Sequence, residues 1–427
     1  MRNCCVVATL GREVWRRVWR ASVGPHVSAT VQTTEVAVIG GGPAGLVCAI
    51  ALAAAGVETV LVAPPHAGAD HRTTALLAGS VAALETLGVW PVCLSDAAPL
   101  RQIRMIDDTA RLLRAPEVSF VAAEIGLDAF GYNIENHHLV AALEARAGTV
   151  KLPRVVAPAL LVESDEAGVT VEYASGALRA RLVIGADGAR SLCRTAAGIG
   201  TRRRAYPQSA LTLNLEHARP HNDISTEFHT ESGPFTLVPL PGRRSSLVCV
   251  LAPDDAHRLA GTADAALADD IEHRAHSLLG RMRVEPGRGL FPLAVETAEA
   301  IARGRIALVG EAAHVVPPIG AQGLNLGLRD AAAIAEIVAG ACRAGLDPGA
   351  PNVLARYETA RRADVMSRTI VVDLLNRSLL AGFVPLHGLR GLSLYLADRI
   401  GPLRRALMRE GVMPAASRPR LMQGEAV

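Results

Sequence analysis

The segment Leu308-Val-Gly-Glu-Ala-Ala-His-Val-Val-Pro-Pro-Ile-Gly-Ala-Gln-Gly-Leu-Asn-Leu-Gly-Leu-Arg-Asp330 reads as an apolar strand, a glycine-rich turn and the start of a helix. Its acidic residue, Glu311, follows the apolar strand Ile306 to Val309 at a glycine, where a carboxylate can accept hydrogen bonds from ligand hydroxyl groups. The turn from Gly320 to Gly323 presents backbone N–H groups at a helix start, which carries about half a positive elementary charge. The segment therefore predicts a site for the negative edge of a ligand, formed mainly by backbone groups.

A second glycine-rich turn lies near the start of the chain. The stretch Val36-Ala-Val-Ile-Gly-Gly-Gly-Pro-Ala-Gly45 is a short apolar strand that runs into G-x-G-x-x-G, and an apolar helix through Ala55 and a strand Thr59 to Val62 follow. Within such a βαβ unit the glycines allow a tight turn and close approach of the backbone to a pyrophosphate. The alternative is a turn that opens an ordinary buried helix. We predict a dinucleotide pyrophosphate site at Gly40, Gly42, Pro43, Ala44 and Gly45.

The acidic residue that this motif expects about twenty residues later, for the ribose of the nucleotide, is missing. The chain has Ala63-Pro64-Pro65 at that point. The first polar candidates downstream are Asp70 and Arg72, and we predict that Arg72 contacts the cofactor. The sequence leaves open which residue replaces the acid at position 63.

A third strand that ends in a polar turn supports the other two. Leu182-Val-Ile-Gly-Ala-Asp-Gly-Ala-Arg190 is an apolar strand followed by Asp187-Gly188, which taken alone would be a plain turn. Beside the other two motifs, we interpret Asp187 and Gly188 as cofactor contacts. The three motifs together predict a flavin dinucleotide, with its ribityl chain at Glu311 and the N1/O2 edge of its ring at Gly320, Gly323, Leu324 and Asn325.

With these motifs the chain resembles the p-hydroxybenzoate-hydroxylase-like FAD-dependent monooxygenases, and among them the ubiquinone-biosynthesis ring hydroxylases most closely. The resemblance runs from about Thr34 to Gly411 and includes Asp70-His-Arg-Thr-Thr-Ala-Leu, Gly131-Tyr-Asn-Ile-Glu-Asn-His-His-Leu, Tyr206-Pro-Gln-Ser-Ala, Gly233-Pro-Phe-Thr-Leu-Val-Pro-Leu and Tyr357-Glu-Thr-Ala-Arg-Arg-Ala-Asp364. Two positions depart from the family pattern. Ala63 replaces the usual acidic residue, and Glu311 stands where Asp is commoner.

The resemblance implies a non-covalent FAD, reduced by NAD(P)H or by a separate reductase. The reduced flavin would react with O₂ to a C4a-hydroperoxide, which transfers one oxygen atom to the aromatic ring of a polyprenylated phenol in ubiquinone biosynthesis. The backbone from Pro317 to Gly320 would flank the reacting oxygen, and Tyr206, Gln208 and Pro239 would line the ring pocket. No catalytic acid or base is assigned. The alternatives are a flavin monooxygenase for another aromatic substrate, since fold does not determine substrate, and a non-catalytic flavoprotein subunit of a biosynthetic complex.

The order of predicted elements indicates an α/β fold. We expect a Rossmann-like FAD-binding domain interleaved with a mixed-sheet substrate domain, and a helical C-terminal region. The predicted boundaries are an extension at 1–33, the FAD-binding domain at 34–205 with a return at 291–351, the substrate-binding sheet domain at 206–290 and the helical region at 352–427. Within them, alternating residues predict strands such as Leu211 to Leu215, and helices are predicted at Leu139 to Arg146 and Ala263 to Leu279.

Composition excludes several other classes of protein. Half of the 427 residues are hydrophobic, which excludes a disordered chain, and a net charge of +3 with 3% aromatic residues argues against a nucleic-acid partner. The seven cysteines are scattered without C-x-x-C spacing, which suits a reducing compartment and favours neither disulfides nor zinc. His138 and His314 each have one carboxylate three residues away, so we predict no metal site.

The two ends of the chain bear on localisation. Residues 1–33 contain five arginines and one acid, which fits a mitochondrial transit peptide, a disordered extension or a start codon placed too far upstream. We expect a cytoplasmic protein at the inner face of the membrane, or a matrix protein if the extension is a transit peptide. The stretch from Leu374 to Met408, with arginines among leucines, either contacts a membrane or a partner or packs on its own domain.

Overall fold

The computed structural model describes residues 32–65, 70–109, 116–318, 320–380, 400–412 and 418–427, with the side chains of 369 and 371–380 left out. The predicted extension at 1–33 lies outside the described residues except for its last two. Residues 381–399, the central part of the predicted stretch from Leu374 to Met408, also lie outside the described residues.

Helices alternate with strands in the first half of the chain and dominate its end. Those described are α1 (Pro43–Ala54), α2 (Ala78–Thr86), α3 (Trp90–Cys93), α4 (Asn136–Thr149), α5 (Leu192–Ala196), α6 (Pro253–Ala260), α7 (Asp264–Arg274), α8 (Gln322–Arg343), α9 (Pro351–Leu380) and α10 (Gly401–Val412). Short 3₁₀ turns lie at Leu94–Asp96, Ala122–Ile125, Gly310–Ala312 and Arg420–Gln423. The predicted helices at 139–146 and 263–279 are confirmed as α4 and α7, the latter ending five residues earlier than predicted.

The strands form three sheets. In chain order they are β1 (Gln32–Ile39), β2 (Thr59–Val62), β3 (Thr73–Leu77), β4 (Ala97–Pro99), β5 (Gln102–Asp107), β6 (Val118–Val121), β7 (Gly131–Glu135), β8 (Arg154–Val155), β9 (Leu161–Ser164), β10 (Val169–Tyr173), β11 (Gly176–Gly185), β12 (Thr201–His217), β13 (Ile224–His229), β14 (Pro234–Leu240), β15 (Arg244–Leu251), β16 (Met282–Val284), β17 (Gly289–Ala298), β18 (Ala302–Arg303), β19 (Ile306–Leu308) and β20 (His314–Val315).

The first sheet brings the three sequence motifs to one edge. Its order is β18-β19-β11-β1-β2-β8, with the β9-β10 hairpin on β11, and the pairs β19/β11, β11/β1, β1/β2 and β2/β8 are parallel. Parallel strands share the direction of their carboxyl ends, where open α/β sheets bind ligands. The glycine-rich turn after β1, the Asp187 turn after β11 and the Glu311 turn after β19 therefore meet there. The predicted α/β fold class is confirmed.

The second sheet has nine strands, in the order β20-β17-β12-β15-β14-β13-β5-β6 with β16 paired to β12, and only β13 and β5 are parallel. Its core under α6 and α7 contains Leu211, Leu213 and Leu215. Two of its strands, β5 and β6, come from 102–121, a segment that the predicted boundaries assign to the first part of the FAD-binding domain. A third sheet, β3-β7-β4, lies beside the second sheet. Its Asn133 Nδ2 donates hydrogen bonds to the Pro239 carbonyl oxygen at 2.9 Å and to Ser246 Oγ at 3.1 Å.

Within the described residues, no single helix is long and apolar enough to cross a membrane. One bent pair, Ala78–Thr86 with Trp90–Asp96, meets that test by length and composition alone.

A buried cluster of charges joins the last sheet strands to α8 and α9. Asp330, 1% exposed on α8, accepts hydrogen bonds from the Gly310 backbone N–H at 3.0 Å, from His314 Nε2 at 2.6 Å and from Arg361 Nε at 2.7 Å. Arg361 and Arg329 both donate to Asp364 Oδ2, at 2.8 Å and 2.9 Å. Burial by itself raises the pKa of Asp330, but the charges of His314 and Arg361 outweigh it and lower the pKa to about 2. We call these five side chains the Asp330 cluster.

The Asp330 cluster generates a stability prediction. Asp330→Ala leaves Arg361 buried without that carboxylate, so we expect the free energy of unfolding to fall by roughly 3–5 kcal/mol, measured by urea unfolding. The pKa of Asp330 is lowered from 3.8, so its stabilisation is complete above that pH and is lost as the pH falls towards 2. The control is Asp270→Ala, which removes a half-exposed pair with Arg274 on α7 and should cost under about 1 kcal/mol. Equal losses in both variants would contradict the prediction.

Candidate flavin and substrate site

In the first glycine-rich turn, Gly40 and Gly45 are required by the fold, whereas Gly42 leaves an open volume. A Cβ atom on Gly40, which has a φ of +118°, would lie 2.2 Å from the Ala186 carbonyl oxygen, and one on Gly45 would lie 2.1 Å from the Gly40 carbonyl oxygen. A Cβ on Gly42 would meet no protein atom within 4 Å, and its φ of −73° and ψ of 171° suit any residue. The turn thus exposes Gly42 to an open volume at the sheet edge, as a pyrophosphate site requires.

The start of α1 packs against the second ligand-binding turn. Pro43 occupies the first turn of α1, where it has no N–H to leave unpaired. A Cβ atom added to Gly310 would lie 3.4 Å from the Ala44 Cβ. One added to Gly327 would lie 3.5 Å from the Ala44 Cβ and 3.1 Å from the Gly310 Cα. The close approach of α1, α8 and the Gly310 turn leaves little room for a side chain at Gly327, and the φ of +63° at Gly310 favours glycine there.

The Asp187 turn is held by its own side chain. The Asp187 carboxylate accepts hydrogen bonds from Ser191 Oγ at 2.6 Å and from the Cys193 N–H at 3.0 Å, so it orders the start of α5. Arg194, which the sequence analysis did not single out, donates to the Ala189 carbonyl at 2.7 Å and to the Ala312 carbonyl at 2.9 Å. This arginine connects the Asp187 turn to the Glu311 turn.

Glu311, Gly188 and Arg72 are brought together. Glu311 is exposed in the 3₁₀ turn, and its Oε2 lies 4.0 Å from the position of a Cβ on Gly188, whose φ is +76°. The charge of Glu311 contributes to the raised pKa of Arg72, although the hydrogen bond to Asp70 is the larger cause. Burial raises the pKa of Asp70, but hydrogen bonds from Arg72 and Asn136 outweigh it and lower the pKa to about 2. A carboxylate and an arginine thus flank the space at this edge.

The start of α8 lies beside these groups. The helix begins at Gln322, so Gly323 and Leu324 fall in its first turn, where N–H groups lack intrahelical partners. Gly320 and Ala321 before it both have positive φ, at 64° and 55°, and a non-glycine residue in this conformation is uncommon outside strained functional turns. This constrained turn therefore fixes the direction of the positive, N-terminal end of α8.

Asn325 has a structural task that the sequence did not reveal. Its Oδ1 accepts hydrogen bonds from the Leu77 N–H at 2.9 Å and Ser80 Oγ at 2.7 Å, and its Nδ2 donates to the carbonyls of Ala75 at 2.8 Å and Ala321 at 2.6 Å. The side chain therefore holds α8 against β3 and α2. Flavin contact by Asn325 and by Asp187 stays a prediction, and in both cases it falls to the backbone.

One face of the second sheet faces this edge. Gln208 lies two residues before Ala210 on β12, next to an irregularity in the pairing with β17, and Phe291 is the direct partner of Ala210. Successive residues point to opposite faces of a strand, so Gln208, Ala210 and Phe291 share one face. The Arg72 guanidinium lies 5.7 Å from the Phe291 ring centre, which connects this face to the Glu311 turn.

Gln208 carries an unused acceptor on that face. It is 2% exposed, its Nε2 donates to the Ser232 carbonyl at 2.6 Å, and its Oε1 has no hydrogen-bond partner among the described residues. Around it lies an apolar cluster of Tyr206, Ala210, Val250, Leu293 and Val295. An apolar wall with one oriented acceptor suits an aromatic ring that carries a hydroxyl group.

The structure brings together three side chains with metal-binding potential, His71, Glu135 and His137, within 4.8 Å of one another. The sequence had paired Glu135 only with His138. Both oxygens of Glu135 are engaged, Oε1 by Asn214 Nδ2 at 2.9 Å and Oε2 by Arg244 at 3.3 Å. The arginine already supplies the positive charge that a metal ion would bring, so we assign no metal to this cluster.

The residues present fit FAD. The open volume over Gly42 takes a pyrophosphate, Glu311 offers an acceptor for the ribityl hydroxyls, and the first turn of α8 offers N–H donors for the ring. Sequence reasoning found these turns, since each follows an apolar strand with glycine. It missed Arg194 and the side-chain tasks of Asp330 and Asn325, whose only local signal is a polar residue inside an apolar segment.

Comparison with known proteins shows the family to which the chain belongs. A family model described as an FAD binding domain matches residues 33–370. The chain is 35% identical to a ubiquinone hydroxylase of Rhodospirillum rubrum, covering 95% of this chain and 96% of that protein. It is 33% identical to the 3-demethoxyubiquinol 3-hydroxylase of Escherichia coli, covering 89% and 98%. The crystal structure of p-nitrophenol 4-monooxygenase from Pseudomonas putida shares the fold, with a TM-score of 0.74 at 21% identity over 89% of this chain and 98% of that chain.

The open volume over Gly42 generates a binding prediction. We expect Gly42→Val to fold normally, because its backbone suits valine and no protein atom is in the way, but to purify without the yellow flavin colour. The measurement is the ratio of flavin to protein absorbance, with thermal unfolding as the check on folding. Gly148→Val is the matched control, since a Cβ there also meets no protein atom within 4 Å but lies on α4, away from the turn. Full flavin content in the Gly42 variant would refute the assignment.

Proposed function

Because the chain belongs to the FAD-binding domain family and is an FAD-dependent aromatic monooxygenase, we propose that it hydroxylates the aromatic ring of a polyprenylated phenol in ubiquinone biosynthesis. The observation that carries this proposal is similarity along the whole chain to the ubiquinone hydroxylase of Rhodospirillum rubrum, 35% identical over 416 residues. Coverage of both chains is nearly complete, so the proposal extends to the substrate-binding sheet as well as to the cofactor turns.

When bound, the flavin supplies the activation of O₂, and the protein supplies position and shielding. Glu311 orients the ribityl chain, and the first turn of α8 stabilises negative charge at the ring edge. The backbone of Pro317, Pro318 and Gly320 would flank the reacting position. The apolar wall around Gln208 would exclude water, whose access would otherwise favour loss of the activated oxygen as hydrogen peroxide.

The proposed role of Gln208 is to orient the phenol. A substrate hydroxyl donates to its Oε1, the amide oxygen that is buried without a partner among the described residues. Its Nε2 donates to the Ser232 carbonyl at 2.6 Å, which fixes the orientation of the amide. Tyr206 and Pro239 complete the ring pocket in this proposal. No residue is given the role of general acid or base.

Electrons come from NAD(P)H in this proposal, directly or through a reductase. Two other functions remain to be distinguished. A hydroxylase for another aromatic compound would oxidise NAD(P)H in response to that compound and leave ubiquinone synthesis unaffected by its loss. A non-catalytic flavoprotein subunit would bind FAD but never turn over with any ring. The buried acceptor of Gln208 favours an enzyme, since a scaffold needs no unpaired acceptor within an apolar cluster.

The polyprenyl tail of the substrate motivates a contact with the membrane surface. Ile400, directly before α10, and Leu403 and Leu407 on it are spaced by three and four residues and are 42–51% exposed, while Arg404 and Met408 are buried. Arg405 and Arg409 are exposed on the same helix. An apolar face flanked by arginines suits anionic lipid headgroups. We propose a cytoplasmic protein at the inner face of the membrane, or one on the matrix side if residues 1–33 are a transit peptide.

Disruption of the gene tests the pathway. We expect ubiquinone synthesis to stop at an under-hydroxylated intermediate, detected by mass spectrometry of lipid extracts. Wild-type protein and Gly148→Val should relieve the block, whereas Gly42→Val should not, because it cannot hold the flavin. Normal ubiquinone levels in a disrupted strain that has no second hydroxylase would overturn the pathway and leave the enzyme class standing.

Substitution on α10 tests the membrane contact. The triple variant Ile400→Gln, Leu403→Gln, Leu407→Gln should lose co-sedimentation with vesicles that contain anionic phospholipid, because the apolar face no longer enters the lipid. The matched control is Leu160→Gln with Leu346→Gln, two other exposed apolar residues, at 46% and 48% exposure. Wild-type sedimentation of the triple variant, or an equal loss in the control, would show that the face does not bind lipid.

A further inference from the structure

The end of β2 lacks the carboxylate that usually holds the ribose of a bound dinucleotide, and an arginine covers the gap. Ala63 is 1% exposed. The Nε of Arg154 donates to the Ala63 carbonyl oxygen at 3.1 Å and its Nη2 donates to the Pro64 carbonyl oxygen at 2.8 Å. Arg154 begins β8, which pairs in parallel with β2, with Arg154 opposite Leu61. Its guanidinium therefore reaches the carboxyl edge where the nucleotide turns lie.

The guanidinium also lies against the glycine-rich turn. A Cβ on Gly41 would sit 3.0 Å from the Ala63 Cβ, 3.5 Å from Arg154 Nη2 and 3.5 Å from the Pro64 carbonyl oxygen. Residue 63, the pyrophosphate turn and the guanidinium thus surround one small volume. Arg72, the candidate that the sequence offered for this end of the cofactor, is instead bound to Asp70 and lies over the Phe291 ring.

A carboxylate with a free oxygen accompanies Arg154. Glu144 on α4 accepts a hydrogen bond at its Oε2 from Arg154 Nη1 at 2.6 Å. Its other oxygen, Oε1, is buried and has no partner among the described residues. A buried polar atom without a partner is uncommon and costs free energy, so it marks a place where a ligand atom is expected. The three bonds of Arg154 use three of its five N–H donors, which leaves donors for a ligand as well.

We propose that Glu144, held in place by Arg154, binds the adenosine ribose of FAD in place of the acid that position 63 lacks. A ribose hydroxyl donates to Glu144 Oε1, and Arg154 donates to a ribose oxygen from an N–H that the backbone carbonyls do not use. The carboxylate has moved from the end of a strand to the helix that precedes the neighbouring strand. Its charge is balanced by Arg154, which the family pattern at the strand end does not require.

The test measures cofactor affinity and needs no substrate, so it stands apart from the pathway proposal. Full-length protein is reconstituted with FAD and with FAD analogues that lack the 2′- or the 3′-hydroxyl of the adenosine ribose, and dissociation constants are taken from flavin fluorescence. We expect wild-type protein to bind at least one analogue about tenfold more weakly than FAD, as expected for a hydrogen bond to a charged group. Glu144→Ala should bind FAD more weakly and lose most of the preference for FAD over that analogue, since only the Arg154 contact with the ribose remains.

The variants separate a direct contact from a structural one. Arg154→Ala should show the same loss of discrimination, and Glu144→Gln, which keeps an acceptor, should retain part of it. Arg305→Ala is the matched control, because Arg305 also binds two backbone carbonyls, of Glu166 and Arg181, and one carboxylate, Asp347. It should discriminate as wild-type protein does. The proposal is overturned if Glu144→Ala still prefers FAD to the deoxy analogues by the wild-type factor, or if wild-type protein shows no preference.

Discussion

The position of the flavin site depends on one buried carboxylate. Asp330 binds the Gly310 N–H, His314 and Arg361 at once, and these three groups belong to the turn that carries Glu311, to the strand that leads into the ring-flanking segment and to α9. A buried ion cluster is weak evidence for stability, because desolvation of the charges opposes their attraction. What it provides here is geometry. The carboxylate has only one arrangement in which all three donors are satisfied, so the Glu311 turn and the start of α8 keep a constant relation to each other.

Much of the fold could be predicted because its signals are local. Each motif follows an apolar strand, and parallel pairing brings the ends of such strands to one edge, so Gly40, Asp187 and Glu311 were expected to converge from sequence alone. The second sheet shows where this reasoning stops. Its strand β5 pairs in parallel with β13, more than one hundred residues later in the chain. No short pattern encodes a partner at that distance, and so the strands at 102–121 could not be assigned to that sheet.

The candidate site shows the same limit: its backbone turns could be predicted from the sequence, whereas its side-chain contacts could not. Glycine positions were readable, because a glycine in a strand–turn–helix unit has a specific steric purpose, and the contacts of Gly40 and Gly45 bear this out. The roles of the side chains could not be predicted, since they depend on residues far away in the sequence. Asn325 and Asp187 look like ligand contacts in the sequence, yet the chain itself satisfies their polar atoms. A polar residue beside a cofactor motif therefore indicates that its side chain stabilises the turn. Whether it also binds the ligand depends on its contacts in the folded structure.

The two departures from the family pattern have different physical consequences. Glu311 keeps its charge, and it stands exposed in a single 3₁₀ turn, with its Oε2 4.0 Å from the Cβ position of Gly188. Ala63 is 1% exposed and has no side-chain oxygen, so another element has to supply an acceptor for the ribose. Arg154 and Glu144 enter from β8 and α4, the next strand and the helix before it. A substitution at an exposed ligand residue is thus absorbed locally, whereas one at a buried ligand residue changes the neighbouring strand.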